Sequence, residues 1–413
     1  MDENTAGIKT NGRSRGEMVS DITTDTKLKV GAIAIGNGGG SVGTALYREG
    51  FDVIFINTSI KDLDSVVIPS TCKAFLIDDK SGLARGAGRN RGTMLDLYQE
   101  WDKDTLFKNE EFEDFVEGKD VIFLIATTAG GTGSGLTPTL VDNLLTVYPG
   151  KVFIPVGILP KLSESVKCQL NTEQFISEID QLVTENSISY MIFDLDRYKD
   201  LTLDDCYKKT ANDIVDAGSV IAGSLARITK HGMIDERDLL TIITAPGLLN
   251  VYSCKDVELS EIDNDGIQSI IIKNIKNTSA VQPQRDKIVE YYGVYLDIQE
   301  ESNDPIVKGE YSQLEETFGK PLDVFVNYAT NDSSISQFAL IVSGLSTPMD
   351  RLNLSIREAE KYQRRKTKEL NIQNIDNAYD VDNNKQIDKI MNSASKTKND
   401  VELNTNRFRG RRK

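Results

Sequence analysis

The sequence predicts an α/β fold, and three observations lead to that prediction. Short apolar runs typical of buried parallel strands alternate with helical segments through the first half of the 413-residue chain. Polar, glycine-rich turns follow several of these runs. After about residue 240 scattered short runs lie between helical and turn segments, which predicts a second, α+β part with a mixed sheet.

Strands of the first half are predicted at 29–35, 52–56, 73–77, 120–126, 151–159 and 190–193. Helices are predicted after the glycine-rich turn at 36–43, over 94–101, 136–147 and 171–185, and as one long helix over 202–229. This alternation predicts a parallel sheet covered on both faces, with ligands at the carboxyl ends of its strands.

Strands of the second half are predicted at 268–272, 291–295, 322–326 and 337–342, followed by a strongly charged helix over 349–370. Residues 1–26 and 371–413 are polar and carry few apolar anchors. Both ends are therefore predicted to be largely disordered.

Composition excludes several classes of protein. A net charge of −15 argues against a body that coats nucleic acid or an anionic membrane. The sequence has no apolar run of the roughly 20 residues that a membrane span needs, and its N-terminus lacks the apolar core of a signal peptide. The cysteines lack metal-ligand or disulfide spacing, which predicts no metal cluster and suits a reducing cytoplasm: Cys72, Cys168, Cys206 and Cys254.

The last residues form a basic tip on this acidic chain, made of Arg407, Arg409, Arg411, Arg412 and Lys413. Such charge asymmetry predicts either an interaction tail or a solubilising, unstructured end. An interaction tail of this kind would attract an acidic or phosphate-bearing partner in a salt-sensitive manner.

The stretch 127–135, Thr-Thr-Ala-Gly-Gly-Thr-Gly-Ser-Gly, lies between a predicted buried strand and a helix. Its glycines let the backbone pass close to a ligand with N–H groups pointing inward, and at the start of a helix that ligand is most often a phosphate. No lysine follows, so this is not the Gly-x-x-x-x-Gly-Lys-Ser/Thr loop. Thr132 and Ser134 are either phosphate contacts or turn formers.

A dinucleotide site is the first alternative, because Gly38, Gly40 and Gly43 match the Gly-x-Gly-x-x-Gly fingerprint after a strand. That fingerprint also needs an acidic residue about 20 positions further on, to bind the ribose. The second predicted strand ends instead in Asn57 and Thr58. The nicotinamide interpretation therefore loses its best support.

Four loops favour a polyphosphate site. The turn at 36–43, Asn57 with Thr58, the segment 86–90 and the segment 130–135 each follow a predicted strand. Because parallel strands end at one edge of their sheet, these loops are predicted to form a single cradle for a long polyphosphate.

At these residues the chain resembles the tubulin/FtsZ superfamily of polymerising GTPases. The segment 129–135 is nearly the tubulin signature, with Ala129 where the family usually has another glycine. Ala211, Asn212 and Asp213 look like the Ala-Asn-Asp of the central helix, whose Asn or Asp reads the guanine edge, and Glu164 matches a ribose contact. The resemblance implies a GTP or GDP site with Mg²⁺, formed by Gly36, Asn37, Gly38, Gly39, Asn57, Thr58, Gly86, Ala87, Gly88, Asn90, Gly130, Gly131, Thr132, Gly133, Ser134, Glu164 and Asn212.

The resemblance also implies a catalytic pair. Asp235 and Asp238 match the paired acids of the family's synergy loop, which complete the site of the neighbouring subunit in a head-to-tail filament. A carboxylate near the γ-phosphate can orient or deprotonate the attacking water. Without the surrounding motifs, each acid would be interpreted as a helix N-cap or a solvated surface group.

Within the superfamily the chain looks most like the TubZ branch of plasmids and phages, which segregates DNA. The implied domains are an N-terminal extension (1–26), a GTP-binding domain (27–201), a central helix (202–230), a GTPase-activation domain (231–346), a C-terminal helix (347–370) and a tail (371–413). The implied function is a cytoplasmic, DNA-moving filament whose basic tail docks on a DNA-bound adaptor protein or on DNA itself. An FtsZ-like division ring protein and a Rossmann-type enzyme are the alternatives.

Overall fold

The structure is a computed structural model that describes residues 27–65, 68, 71–78, 85–101, 104–225, 233–284, 288–299, 304–331 and 335–376. The predictions for 1–26 and for residues 377–413 of the tail, with its basic tip, lie outside these residues. The strands are β1 Val30–Ile35, β2 Asp52–Asn57, β3 Lys73–Leu76, β4 Val121–Thr127, β5 Val152–Leu159, β6 Ser189–Asp194, β7 Gly247–Glu258, β8 Tyr291–Gln299, β9 Asp323–Asn331 and β10 Ile335–Leu345.

The helices of the first half are α1 Gly36–Arg48, α2 Ile60–Ser65, α3 Arg91–Glu100, α4 Asp104–Phe107, α5 Glu110–Glu117, α6 Thr132–Val147, α7 Val166–Asn186 and α8 Leu203–Ile221. Those that follow are α9 Glu236–Ile243, α10 Leu259–Asp265, α11 Ile267–Asn277, α12 Ser312–Phe318 and α13 Met349–Asp376. Short 3₁₀ turns occupy Leu195–Tyr198 and Pro305–Lys308.

The described residues form one ten-stranded sheet in the order β3-β2-β1-β4-β5-β6-β7-β10-β8-β9. All neighbours from β3 to β6 are parallel, which confirms the predicted parallel sheet. The chain order reverses between β1 and β4. Ligands of such sheets bind at the carboxyl ends of the strands beside this switch point.

The second half of the sheet is mixed, as predicted. Strand β7 pairs parallel with β6 and antiparallel with β10, and β10 pairs antiparallel with β8. Strand β9 pairs parallel with β8. The mixed strands therefore extend the parallel sheet and do not form a separate sheet.

One prediction for the second half was wrong, and one strand was not predicted. The segment 268–272 lies in α11 and not in a strand, because a short isoleucine run suits a buried strand and a buried helix equally well. Strand β7 was not predicted, although its burial pattern is nearly continuous from Leu248 to Tyr252.

Helices near the glycine-rich loops begin earlier than predicted. Helix α1 begins at Gly36 and α6 at Thr132, so the predicted loops form the first turns of these helices. A side chain on Gly39 would collide with the carbonyl oxygen of Ile125 in β4, so only glycine lets α1 lie this close to the sheet.

The core follows the sheet: every residue of β1 and of β6 is buried. The central helix α8 ends at Ile221, whereas the prediction continued it to residue 229. Residues 222–225 form turns, and residues 226–229 lie outside the described residues. Helix α13 continues to Asp376, past the predicted end at residue 370. In the described part of the chain, no helix is both long and apolar enough to cross a membrane.

Contacts divide the chain into two units, Met1–Ala359 and Glu360–Lys413. The first unit contains the whole sheet. In the second unit, the described residues belong to α13, where Arg364 pairs with Glu360 one turn earlier.

Candidate nucleotide site

The four predicted loops meet at the carboxyl edge of the parallel strands. The Thr58 and Thr132 hydroxyls lie 2.6 Å apart and join the loops after β2 and β4. The Gly86 N–H donates to the Thr58 carbonyl at 3.0 Å, which adds the loop before α3. A Cβ on Gly36 would lie 3.2 Å from the Gly133 nitrogen, so the loop after β1 also touches the loop after β4.

Asn171 on α7 links two of these loops through hydrogen bonds. It is fully buried, and its Nδ2 donates to the carbonyls of Ala129 (2.9 Å), Gly130 (2.8 Å) and Arg89 (3.1 Å). Asn171 was not predicted as a site residue. The only signal was a polar residue on the face of α7 that is otherwise buried.

The helices on either side of the switch point begin without a capping side chain. Neither Ile35 before α1 nor Gly131 before α6 accepts a hydrogen bond with its side chain. Helix α7, which begins at the same edge, is capped by the Ser165 hydroxyl. The first-turn N–H groups of α1 and α6 are thus left for a ligand, and helix N-termini favour anions.

Close packing requires glycine at three positions in the first and fourth loops. A Cβ on Gly38 would collide with the Thr127 side chain, and one on Gly131 would lie 2.8 Å from the Asn90 nitrogen. A Cβ on Gly133 would lie 2.9 Å from the Ala126 side chain. The glycines therefore bring the loop backbones together, and Asn37 remains exposed at the rim.

Three predicted contacts have side chains that are already engaged. Asn57 is buried and accepts from the Thr58 N–H at 2.8 Å. Asn90 caps α3 by accepting from the Gly92 N–H at 3.0 Å. The Ser134 hydroxyl is buried and donates to the Gly130 carbonyl at 2.5 Å. These side chains shape the loops, and their backbone groups remain the candidates for ligand contact.

Arg91 is a second residue that sequence analysis missed. Its buried guanidinium donates to the Ser134 carbonyl and to the Glu178 carboxylate, which joins α3, α6 and α7. Burial raises the pKa of Glu178, and the Arg91 charge opposes that rise. Arg91 therefore braces the glycine-rich loop and is not available to a ligand.

Glu164 lies in the turn before α7, where its Oε1 accepts from the Lys161 N–H at 3.1 Å. Tyr207 of α8 lies near it: the pKa of Tyr207 is raised by burial first and then by the Glu164 charge. Glu164 therefore lies close to α8, the helix that also carries Asn212.

The two polar side chains in the Ala-Asn-Asp segment of α8 have different surroundings. Asp213 accepts from the Ser279 N–H at 2.7 Å and from the Tyr198 hydroxyl at 2.8 Å. Burial raises the pKa of Asp213, and these hydrogen bonds oppose the rise. Asn212 is exposed, so it is the residue of the pair that is left for base recognition.

Asp235 and Asp238 form a reciprocal capping box at the start of α9. Asp235 accepts from the Asp238 N–H at 2.8 Å, and Asp238 accepts from the Asp235 N–H at 3.2 Å. Helix α9 packs on β8 and β10, in the mixed half of the sheet. Asp235 is exposed and Asp238 half-buried, so both remain within reach of a neighbouring molecule.

The donor set fits a nucleotide polyphosphate, because it offers backbone N–H groups, hydroxyls and two uncapped helix N-termini. The described residues include no cluster of three or more metal-ligating side chains. A Mg²⁺ ion would therefore be bound chiefly by the phosphates, which is common for this ion.

Comparison with known proteins agrees with the geometry. Residues 29–194 match the GTPase domain of the Tubulin/FtsZ family. Residues 29–194 are therefore similar to a Tubulin/FtsZ GTPase domain, and the fold of the described residues is tubulin/FtsZ-like.

The relatives include TubZ. The Tubulin-like protein TubZ of Clostridium botulinum C phage is 27% identical over 257 residues, which cover 61% of this chain and 65% of that protein. The crystal structure of Clostridium botulinum phage c-st TubZ superposes with a TM-score of 0.63 at 21% identity, over 82% of this chain and 99% of that one. A crystal structure of a GTPγS-form protofilament of Bacillus thuringiensis serovar israelensis TubZ superposes with a TM-score of 0.64 at 15% identity. The superposition covers 83% of this chain and 95% of that chain.

Proposed function

We propose that this chain is a polymerising GTPase whose filaments segregate or position plasmid or phage DNA. The observation that carries the proposal is the pair of uncapped helices, α1 and α6, whose N-termini meet at the switch point of the sheet. The Tubulin/FtsZ match over 29–194 supports guanine nucleotide as the ligand. The similarity to phage TubZ supports DNA of a plasmid or phage as the cargo.

In this proposal the phosphates lie against the loops at Gly36, Gly86 and Gly130, with Mg²⁺ neutralising their charge. Glu164 accepts a hydrogen bond from the ribose, and Asn212 reads the guanine edge through its amide. Asp213 cannot share that role, because its carboxylate is bound to Ser279 and Tyr198.

Hydrolysis takes place between subunits. In the free subunit Asp235 and Asp238 cap α9. In a head-to-tail polymer their carboxylates approach the γ-phosphate of the neighbour and orient the attacking water. Hydrolysis thus waits for assembly, and the solved TubZ protofilament supports assembly of this kind.

Polymerisation is tested by sedimentation and negative-stain microscopy with GTP, a slowly hydrolysed GTP analogue, GDP and NADH. We expect filaments with GTP and longer-lived filaments with the analogue. Tight NADH binding without GTP-dependent sedimentation would support the Rossmann-type enzyme and refute the proposal.

Catalysis in trans is tested by mixing two variants. Thr132→Ala subunits retain Asp238 and bind GTP weakly, whereas Asp238→Asn subunits bind GTP but lack the carboxylate. Asn at this position still accepts from the Asp235 N–H, so α9 keeps its cap. A mixture should hydrolyse GTP faster than either variant alone, and a mixture as inactive as its parts would contradict a shared site.

The basic tail at 407–413 is proposed to dock on a DNA-bound adaptor protein in the cytoplasm. Deletion of residues 396–413 should abolish recruitment of the adaptor and DNA and leave GTP-dependent sedimentation unchanged. Loss of sedimentation in the deletion variant would instead show that the tail packs on the next subunit.

A further inference from the structure

Arg89 lies in the loop before α3, and its backbone is fixed on two sides. Its carbonyl accepts from Asn171 Nδ2 at 3.1 Å. A Cβ on Gly131 would lie 3.0 Å from the Arg89 carbonyl carbon, so the two loops are in contact. Arg89 has a positive φ of 59°. This left-handed conformation is uncommon for a residue other than glycine and is often found at functional sites.

The Arg89 side chain crosses from this loop toward α7. Its Nη1 lies 3.6 Å from Sγ of Cys168, in the first turn of α7. Its charge also acts on Tyr207, since Arg89 lowers the pKa of a hydroxyl that burial and Glu164 raise. The guanidinium therefore extends from the loop that contacts Gly131 toward the first turn of α7, near the segment that carries Glu164, the proposed ribose contact.

The Cys168 sulfur is a weak hydrogen-bond partner for the Arg89 guanidinium. A thiol is a weak acceptor, and Arg89 forms no ion pair with any residue that the structure describes. Two nearby cations are already engaged: Arg91 pairs with Glu178, and Lys161 Nζ donates to the Tyr198 (3.1 Å) and Leu201 (2.7 Å) carbonyls. A planar guanidinium with five N–H donors matches a phosphate far better than a thiol.

We infer that Arg89 binds the α- and β-phosphates of the nucleotide, and that it leaves the Cys168 sulfur when it does so. This inference rests on the proposed function, because it assigns a contact within the same site. The position of Arg89 between the phosphate loop and the nucleoside side favours these two phosphates over the γ-phosphate. One cation at this point offsets part of the repulsion between a highly charged nucleotide and a chain of net charge −15.

The experiment measures dissociation constants of the full chain for GTP, GDP and guanosine by calorimetry. Arg89→Ala should weaken both GTP and GDP binding by about 10- to 100-fold, the usual value of a hydrogen bond to a charged group, and leave guanosine binding unchanged. Arg89→Lys should recover part of the lost affinity, because lysine retains the positive charge but lacks the paired N–H donors of a guanidinium. If Arg89→Ala fails to fold, Arg89→Asn replaces it, since Asn tolerates a positive φ.

Two controls separate binding from structure. Arg48→Ala removes the same charge from an exposed site at the far end of α1 and should change no affinity by more than about twofold. Cys168→Ala breaks the contact with Arg89 and should leave both nucleotide affinities intact. If Cys168→Ala reproduced the loss, Arg89 would merely hold its loop against α7, and the inference would be overturned.

The remaining outcomes are also decisive. Equal affinity of Arg89→Ala and the unaltered chain for GTP and GDP would refute the inference and leave the proposed function standing. A loss confined to GTP would place Arg89 at the γ-phosphate and equally overturn the assignment. Failure of the unaltered chain to bind either nucleotide would refute the proposed function itself, and the inference with it.

Discussion

Arg351 and Asp194 form a buried, two-pronged ion pair. Nε of Arg351 lies 2.6 Å from Oδ2 of Asp194, and Nη2 lies 3.0 Å from Oδ1. Nη2 also donates to the Pro160 carbonyl at 2.7 Å. Pro160 directly follows β5 and Asp194 ends β6, so the pair fastens the first turn of α13 to the sheet edge that carries the candidate site.

Removal of Arg351 should be costly. The Asp194 side chain is 6% exposed, and Arg351→Ala leaves its carboxylate without its cation. Breaking a buried pair in this way typically costs about 3–5 kcal/mol of unfolding free energy. Urea denaturation followed by circular dichroism measures the loss.

Its control is Arg364→Ala, which breaks an exposed pair with Glu360 and should change stability little. Addition of Asp194→Asn to Arg351→Ala should recover part of the loss, because no uncompensated charge then remains. An Arg351→Ala variant as stable as Arg364→Ala would show that water already reaches Asp194.

The parallel sheet and the four loops could be predicted because both depend on local signals in the sequence. Buried parallel strands are continuous apolar runs, and a backbone that must approach another closely needs glycine, as at Gly131 and Gly133. The long helix was likewise evident from its apolar periodicity.

Residues that act across the chain could not be predicted in this way. Arg351 and Asp194 lie 157 positions apart, and nothing in the local sequence of either points to the other. Nothing in the sequence distinguishes Asn171 from the other residues of its helix, although it links two loops through hydrogen bonds. The residues 268–272 were predicted as a strand because the packing that selects a helix there comes from distant parts of the chain.

Thr132 should matter for nucleotide binding through its hydroxyl. Thr132→Ala removes a candidate phosphate contact and leaves the buried Thr58 hydroxyl without its partner at 2.6 Å. GTP affinity measured by calorimetry should fall by about 10-fold or more, and Thr132→Ser should restore it.

The matched control for Thr132 is Thr146→Ala on the same helix, whose exposed hydroxyl only donates to the Asp142 carbonyl at 3.0 Å. Its GTP affinity should stay at the level of the unaltered chain. Normal binding by Thr132→Ala would assign Thr132 to the shape of the turn alone.

Gly39 should not tolerate a methyl group. The Cβ of Gly39→Ala would collide with the Ile125 carbonyl in β4, which belongs to the rigid centre of the sheet. Overpacking of this kind costs about 1–3 kcal/mol, and the displacement of α1 should weaken GTP binding as well. Gly150→Ala is the control, since a Cβ there meets nothing within 4 Å. Equal stability of the two variants in urea would show that α1 can shift without loss.

Asp213 should make the stability of the chain depend on pH. Burial raises the pKa of its carboxyl above the ordinary value of 3.8, against the opposing hydrogen bonds from Ser279 and Tyr198. The folded state therefore retains a proton that the unfolded state releases, so this contribution to stability is full below the ordinary pKa and is lost as the pH rises through the folded pKa.

Asn in place of Asp213 still accepts both hydrogen bonds but cannot ionise. Between about pH 4 and pH 7, the unfolding free energy of the unaltered chain should fall relative to that of Asp213→Asn in urea titrations. Because Asp194 and Asp180 titrate in both proteins, they cancel in this difference, and a difference that is constant or rises with pH would contradict the assignment.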